Sequence, residues 1–368
     1  MISSARLRLA LAAASLLVVS AAVAVAPLIA QSSMLVIASG LDNPRGLSFG
    51  PDGALYVAEA GRGGTSTLCV PTPEPPFPVI RCLGPTGAVT RITGVGVHRR
   101  VVTNLPSVAA PPGNQAAGPN NVAFGFGSMW ITIGIGGNPA TRAPLEAAGI
   151  RMGWLARASM NGDWSYQLDL AGYEAANNPD GLLVDSNPFD LLIQPDRALF
   201  VDAGANALNQ IATDLTMSTL AVFPRKPVPG GGGATMDSVP TSVAAAPDGQ
   251  LYVGELTGVP FPAGAAAVYR LPAGGGTPVE VASGFTMIID LAVGTDGVYV
   301  LEHDIDGLLA PGMNGRLTRV REDGTRTVIA SAGLIRPGGV TIGPDGALYV
   351  TTSSHAAGVG GVVRIPRP

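Results

Sequence analysis

The sequence predicts an all-β fold, a six-bladed β-propeller of four-stranded antiparallel blades, on three observations. One hairpin motif recurs six times, its later copies stand about fifty residues apart, and the two ends of the chain supply complementary parts of one blade. Composition agrees. Among 368 residues there are 50 glycines and 32 prolines, and only 13% of the chain is charged against a usual share of roughly 25%. That balance suits short strands joined by tight turns, and the 46% hydrophobic content excludes a polar chain unable to bury a core.

The first and last copies read GLSFGPDGALYV (46–57) and GVTIGPDGALYV (339–350). Between them lie NVAFGFGSMWI (121–131), DLLIQPDRALFV (190–201), SVAAAPDGQLYV (242–253) and DLAVGTDGVYV (290–300). Each is an apolar strand, a turn rich in Pro, Asp and Gly, and a second apolar strand, which is the pattern of a hairpin. The turn positions are Asp52, Gly127, Asp196, Asp248, Asp296 and Asp345. The last three intervals, 52, 48 and 49 residues, fit a four-stranded blade with its loops, while the first two hold insertions at 62–86 and 137–152.

Outer hairpins follow at 87–105, 153–170, 267–285 and 315–334, with a weaker version at 208–223. The last repeat has room for only one more strand, GGVVRIPRP (360–368). MLVIASGL (34–41) resembles TVIASAGL (327–334), the outermost strand of the preceding blade, so residues 34–41 are expected to pair with the C-terminal strand and close the ring. Closure removes the open sheet edges that invite aggregation. Residues 34–368 therefore form a single propeller domain. The best helical segment, Thr141 to Ile150, is interrupted by Pro144 and reads as loop decoration.

Arg6 and Arg8 precede an apolar run from Leu9 to Ala26, the form of a secretory signal peptide over residues 1–30 with cleavage after Ala30. A retained anchor is the alternative, because the run is near the minimum spanning length; no other stretch is long enough, so no stable membrane span is expected after cleavage. The expected location is extracytoplasmic, in a periplasm or outside the cell. Losing the two arginines takes the formal net charge from -4 to -6. With Lys226 as the only lysine there is no basic stripe, which excludes nucleic acid as a partner. Cys69 and Cys82 are the only cysteines, and in an oxidising compartment they read as a structural disulfide across a proline-rich loop.

The segments NPRGLSFGPDGALYVAEAG (43–61), the Cys69/Cys82 insertion before GPTGAVTRI (84–92), and DSNPFDLLIQPDRALFVDAGANAL (185–208) resemble the ScyD/ScyE family. These are exported bacterial proteins related to the scytonemin pigment cluster. The resemblance runs from about Met34 to Arg367 and implies export and a propeller-like fold, without an enzymatic role to transfer. More distantly, the repeats are similar to NHL-type, gluconolactonase-like and strictosidine-synthase-like propellers.

Aligning the six copies places Gly46, Asn121, Asp190, Ser242, Asp290 and Gly339 where the inner strands begin, around the mouth of the central channel. The second strands return to that end near Glu59, Asp202, Glu255 and Glu302, with His303 adjacent and Asn206 four residues beyond Asp202. Hard cations take oxygen ligands of this kind, so Asn121, Asp190 and Asp290, with Glu59, Glu255 or Glu302, are the candidate Ca²⁺ ligands. Similarity to gluconolactonase-like propellers implies that such an ion would polarise a lactone, with His303 as general base. The plain alternative is a solvated channel mouth that binds nothing.

Other motifs carry less. GLSFG (46–50) matches G-x-S-x-G but falls on an inner strand, so Ser48 is not expected to be a nucleophile. The turn aspartates repeat with the fold and read as turn formers. Asp304-Ile305-Asp306-Gly307 lacks the later positions of a calcium loop, and GGGG (230–233) is a surface link. His98 lies in an outer hairpin beside two arginines, and His355 is a secondary candidate near the channel face. Trp130, Trp154 and Trp164 share the second blade, as core or as an aromatic patch. Two functions follow: a propeller of unassigned activity that binds a small molecule or an extracellular protein partner at its loop face, or a Ca²⁺-dependent lactonase. A purely structural role in the envelope is the third reading.

Overall fold

The computed structural model describes residues 34–71 and 79–367. The leader at 1–30 and the proline-rich stretch at 72–78 lie outside the described residues. Six four-stranded antiparallel blades make up the protein, one of them extended by a short fifth strand. From the inside outward, blade I comprises Pro44–Phe49, Leu55–Glu59, Ile80–Gly94 and Val97–Ala109. The inner strands of blades II to VI are Pro119–Gly125, Pro188–Ile193, Pro240–Ala245, Ile288–Gly294 and Gly339–Ile342. Blade VI is completed by Leu35–Leu41, which pairs antiparallel with Gly360–Ile365 in the register Val36 to Val363 and Leu41 to Gly360. The ring therefore closes through the N-terminal strand.

Side chains alternate across each strand, so both faces of every blade must meet a neighbour. Six buried clusters satisfy this demand, one at each joint between blades. Tyr56 and Val89 of blade I meet Val122 and Ile131 of blade II. Ile37, Ala38, Leu41 and Val362 of blade VI meet Leu47, Leu55 and Val57 of blade I. Burying a leucine or isoleucine contributes about 1.5–3 kcal/mol, so a terminal strand that adds two such residues to the closing joint is energetically significant.

The insertions differ in detail from expectation. The third strand of blade I begins at Ile80, inside the proposed 62–86 insertion, and pairs with a short strand, Cys69–Pro71, in which Cys69 faces Cys82. The two cysteines are bonded. Between blades II and III runs an unexpected helix, Leu170–Asn177. The Asp169 side chain caps it by accepting from Gly172 N at 2.8 Å, and Asn178 ends it in a left-handed conformation. Only Leu170, Ala171 and Glu174 are buried on it, too sparse a stripe for a periodicity argument. The GGGG link sits in a two-stranded ribbon formed by Lys226–Pro227 and Thr235–Met236. Among the described residues no helix is long and apolar enough to cross a membrane.

Candidate functional site

The inner strands begin at one end of the ring, and blades I to V each carry a register shift there. Such bulges re-aim side chains. Gly46, Asn121, Asp190 and Asp290 line a narrow axial cavity together with Asn120, Phe189, Thr241, Ile289 and Gly338. Its volume of about 10 Å³ is at the threshold for a single water molecule. A Cβ at Gly46 would stand 2.6 Å from the Asn121 amide, so the ring has no room for a larger residue there. Ser242 is buried but does not line the cavity, and its Oγ has no partner among the described residues. Gly339 likewise stays outside the lining, and a Cβ there would stand 2.8 Å from Arg45 O and 2.9 Å from Gly46 Cα.

The axial polar residues fasten the blades to one another. Asp190 accepts from its neighbour Leu191 N through Oδ1 and from Val243 N of blade IV through Oδ2, both at 2.7 Å. Asp290 repeats the arrangement, taking Leu291 N and, from blade VI, Val340 N at 2.7 Å. Asn121 accepts from Val122 N at 2.6 Å and donates through Nδ2 to Asp190. Burial pushes the Asp190 carboxyl up to about 6. Burial and the Asp190 charge push Asp290 well above the ordinary carboxylate range. The pair therefore favours holding a proton.

This donor set fits Ca²⁺ poorly. Both carboxylates already engage backbone amides, and the trio falls short of the six to eight oxygens the ion takes. Among the described residues no group of three or more His, Cys, Asp or Glu side chains could hold a metal ion.

Glu59, Asp202, Glu255 and Glu302 are brought to the same end of their blades but not to the cavity; each is 1% exposed or less. They clip the loop that leads into their own inner strand. Glu59 accepts from Asp42 N at 2.7 Å, Asp202 from Asn187 N at 2.6 Å, Glu255 from Ser238 Oγ at 2.6 Å, and Glu302 from Thr286 N at 2.9 Å. Three carry a basic partner: Arg100 on Glu59, Lys226 on Glu255 and Arg316 on Glu302. Asn206 bridges blades instead, accepting from Val239 N at 2.9 Å and donating to Asp180 at 2.9 Å. Sequence alignment placed these groups at the right end but could not show that neighbours saturate them.

At the far end, the turn aspartates do form turns, with Asp52 accepting from Ala54 N and Asp345 from Ala347 N. Their other oxygens bind a second-strand tyrosine, in the pairs Asp52–Tyr56, Asp296–Tyr299 and Asp345–Tyr349. Arg91, Arg319 and Arg364 complete these contacts. Hydrogen bonds from Arg364, Ala347 and Tyr349 hold Asp345 below the ordinary carboxylate range, against the opposing effect of burial. In blade II, Trp130 is buried with its indole donating to Gly125 O, while Trp154 and Trp164 both pack edge-on against Tyr166.

Buried polar atoms without a partner among the described residues occur at several places, including the Ser242 and Thr257 hydroxyls and both Glu174 carboxylate oxygens; one such group lies where blades V, VI and I meet on the loop face. His303 is buried, and its Nδ1 faces Pro337 O at 2.8 Å. Burial, opposed only by the Pro337 hydrogen bond and reinforced by Arg45, Arg336 and His355, lowers its pKa to about 3. A base this weak is poorly matched to proton abstraction near neutral pH. Arg336 pairs with the buried Asp304, Nε to Oδ2 at 3.1 Å. Among the described residues the Arg45 side chain donates only to Ala116 O, at 3.0 Å, and its Nε is buried without a partner, as is Nδ1 of His355. Gly338, next to Pro337, and Gly46, next to Arg45, belong to the axial cavity, so this cluster borders it. Sequence reading singled out His303 and His355 but missed Arg45 and Arg336. Their signal was a basic residue beside the proline of NPRG (43–46) and of IRPGG (335–339).

Several solved structures share this fold across almost their whole length. A protein assigned as a candidate gluconolactonase is 14% identical with a TM-score of 0.52, over 92% of this chain and 93% of that one. The PQQ-bound aldose sugar dehydrogenase of Streptomyces coelicolor is 13% identical with a TM-score of 0.53, over 92% and 98%. The apo aldose sugar dehydrogenase of Escherichia coli is 13% identical with a TM-score of 0.51, over 91% and 99%. At such identity these are likenesses of fold. No protein-family profile matches the sequence, and no curated protein matches it.

Proposed function

We propose that the chain is an exported propeller that binds a small ligand on its loop face, at the junction of blades V, VI and I. One observation supports this most: among the described residues Arg45 and His355 each keep a buried polar atom without a partner there, beside the buried His303. Buried polar groups normally find partners, and an unpaired one calls for an explanation such as a bound molecule. The signal-like leader and the Cys69–Cys82 bond support export. The resemblance of residues 43–61, the Cys69/Cys82 insertion before residues 84–92, and residues 185–208 to the ScyD/ScyE family supports an exported propeller without a defined reaction. The lactonase alternative draws on the gluconolactonase-like fold, but it would need Asp190 and Asp290 to exchange backbone amides for a metal ion.

The test is a thermal-shift screen of residues 31–368 against sugars, organic acids and lactones, with and without Ca²⁺. Ligands that stabilise the protein, and lose that effect in His303→Ala and His355→Ala, are the expected result. Ca²⁺-dependent lactone hydrolysis abolished by Asp290→Asn, with no ligand dependent on the histidines, would replace this reading by the alternative.

A further inference from the structure

We infer that the ligand of this junction is a small hydroxy-carboxylate, its carboxylate held by Arg45 and its hydroxyl by Nε2 of His303. The inference rests on the loop-face reading above and names the chemistry that the site selects.

Arg45 differs from three of the buried arginines. Arg142, Arg319 and Arg336 are each under a tenth exposed, and each holds a carboxylate: Asp169, Asp296 and Asp304 respectively. Arg45 is partly buried, its Nε fully so, and among the described residues no carboxylate pairs with it. Its guanidinium makes a single hydrogen bond, to a carbonyl, and burial lowers its pKa to about 10. A guanidinium nitrogen buried without a partner is costly, and a ligand carboxylate removes that cost through a charge-assisted pair.

The neighbouring imidazole sets the second requirement. Because Nδ1 of His303 faces the Pro337 carbonyl, it carries the proton, and Nε2 presents a lone pair. Burial, reinforced by the nearby cations, keeps the ring neutral. A bare carboxylate would set lone pair against lone pair at Nε2, whereas a hydroxyl donates to it. His355, whose Nδ1 has no partner among the described residues, offers a further contact in either tautomer. Three blades contribute these groups: Arg45 from blade I, His303 from blade V and His355 from blade VI. Thr351 Oγ1 fixes the Arg45 backbone through its carbonyl at 3.0 Å, and Ser354 Oγ caps the Arg336 carbonyl, so the groups are positioned before a ligand arrives.

The experiment follows the three histidines of residues 31–368 by proton–carbon NMR at neutral pH during titrations with glycolate, acetate and glycerol. His98, on the outer hairpin of blade I, is the internal control. Glycolate should shift His303 and His355 saturably and leave His98 unmoved. Acetate should bind about tenfold more weakly or worse, and glycerol should give no saturable shift. Arg45→Met should weaken glycolate by about tenfold or more, and Arg45→Lys should recover part of the loss. If Arg45→Met does not fold, the Arg45→Lys and Arg45→Gln pair is read in its place, with glycolate again weaker in Gln. A glycolate response unchanged by loss of Arg45, or equalled by glycerol, overturns the inference while leaving the binding face standing. Silence of both histidines to every probe also overturns it. The binding face itself then fails only if the thermal-shift screen finds no ligand dependent on His303 or His355.

Discussion

Asp190→Asn separates a blade-fastening role from a metal-binding one, because asparagine mimics the protonated acid. In the folded protein the Asp190 carboxyl is raised to about 6, chiefly by burial. The unfolded chain releases the same proton near pH 3.9, so the folded state binds it more tightly. Stability from this group is therefore complete below about pH 4 and is lost as pH rises through 6. A shift of about two pK units corresponds to roughly 3 kcal/mol, and relief of the repulsion with Asp290 adds to it. Near pH 4.5 the variant should lie within about 1–2 kcal/mol of the wild type, the price of turning one amide N–H toward a backbone N–H. By pH 8 its stability relative to the wild type should have risen by about 3 kcal/mol or more. Urea unfolding across this pH range measures the difference. Parallel pH curves for the two proteins, or a variant that loses ground as pH rises, would refute the reasoning.

Three further outcomes follow. Glu302→Ala leaves Arg316 and Thr286 N without their buried acceptor and should destabilise by about 2–4 kcal/mol in chemical unfolding, whereas Asp345→Ala, whose pair with Arg364 is solvent-facing, should show a small fraction of that. Deleting residues 34–41 bares the edge of Gly360–Ile365 and removes Ile37 and Leu41 from the closing joint; the product should aggregate or melt well below the full domain in calorimetry. Cys69→Ser with Cys82→Ser should raise amide exchange around residues 69–71 and 80–84 and leave the inner strands protected, because the bond joins a short strand to the periphery of blade I.

The architecture was legible because a propeller repeats its own solution. Six turn motifs gave the number of blades, and the likeness of 34–41 to 327–334 gave the closure. The helix at 170–177 was not legible, since its three buried positions leave no periodic stripe and its start depends on the capping geometry of Asp169. At the candidate site, alignment found the residues at the inner-strand starts but not their occupations. Asp190 and Asp290 spend their oxygens on Val243 and Val340, each in the next blade and about fifty residues away in sequence. Glu59 and Glu302 look like free acids until Arg100 and Arg316 are placed on them. Arg45 is the converse case, a residue of ordinary appearance whose meaning lies in the absence of an acid beside it among the described residues.

The location of the functional centre is tested most directly by measuring one ligand, once found, against two variants by calorimetric titration. Arg45→Met should abolish or severely weaken binding, and Asp290→Asn should leave it within about twofold, because the second change touches a fastening between blades V and VI. Binding that survives loss of Arg45 but disappears with Asp290→Asn would move the centre back to the channel axis and contradict the account.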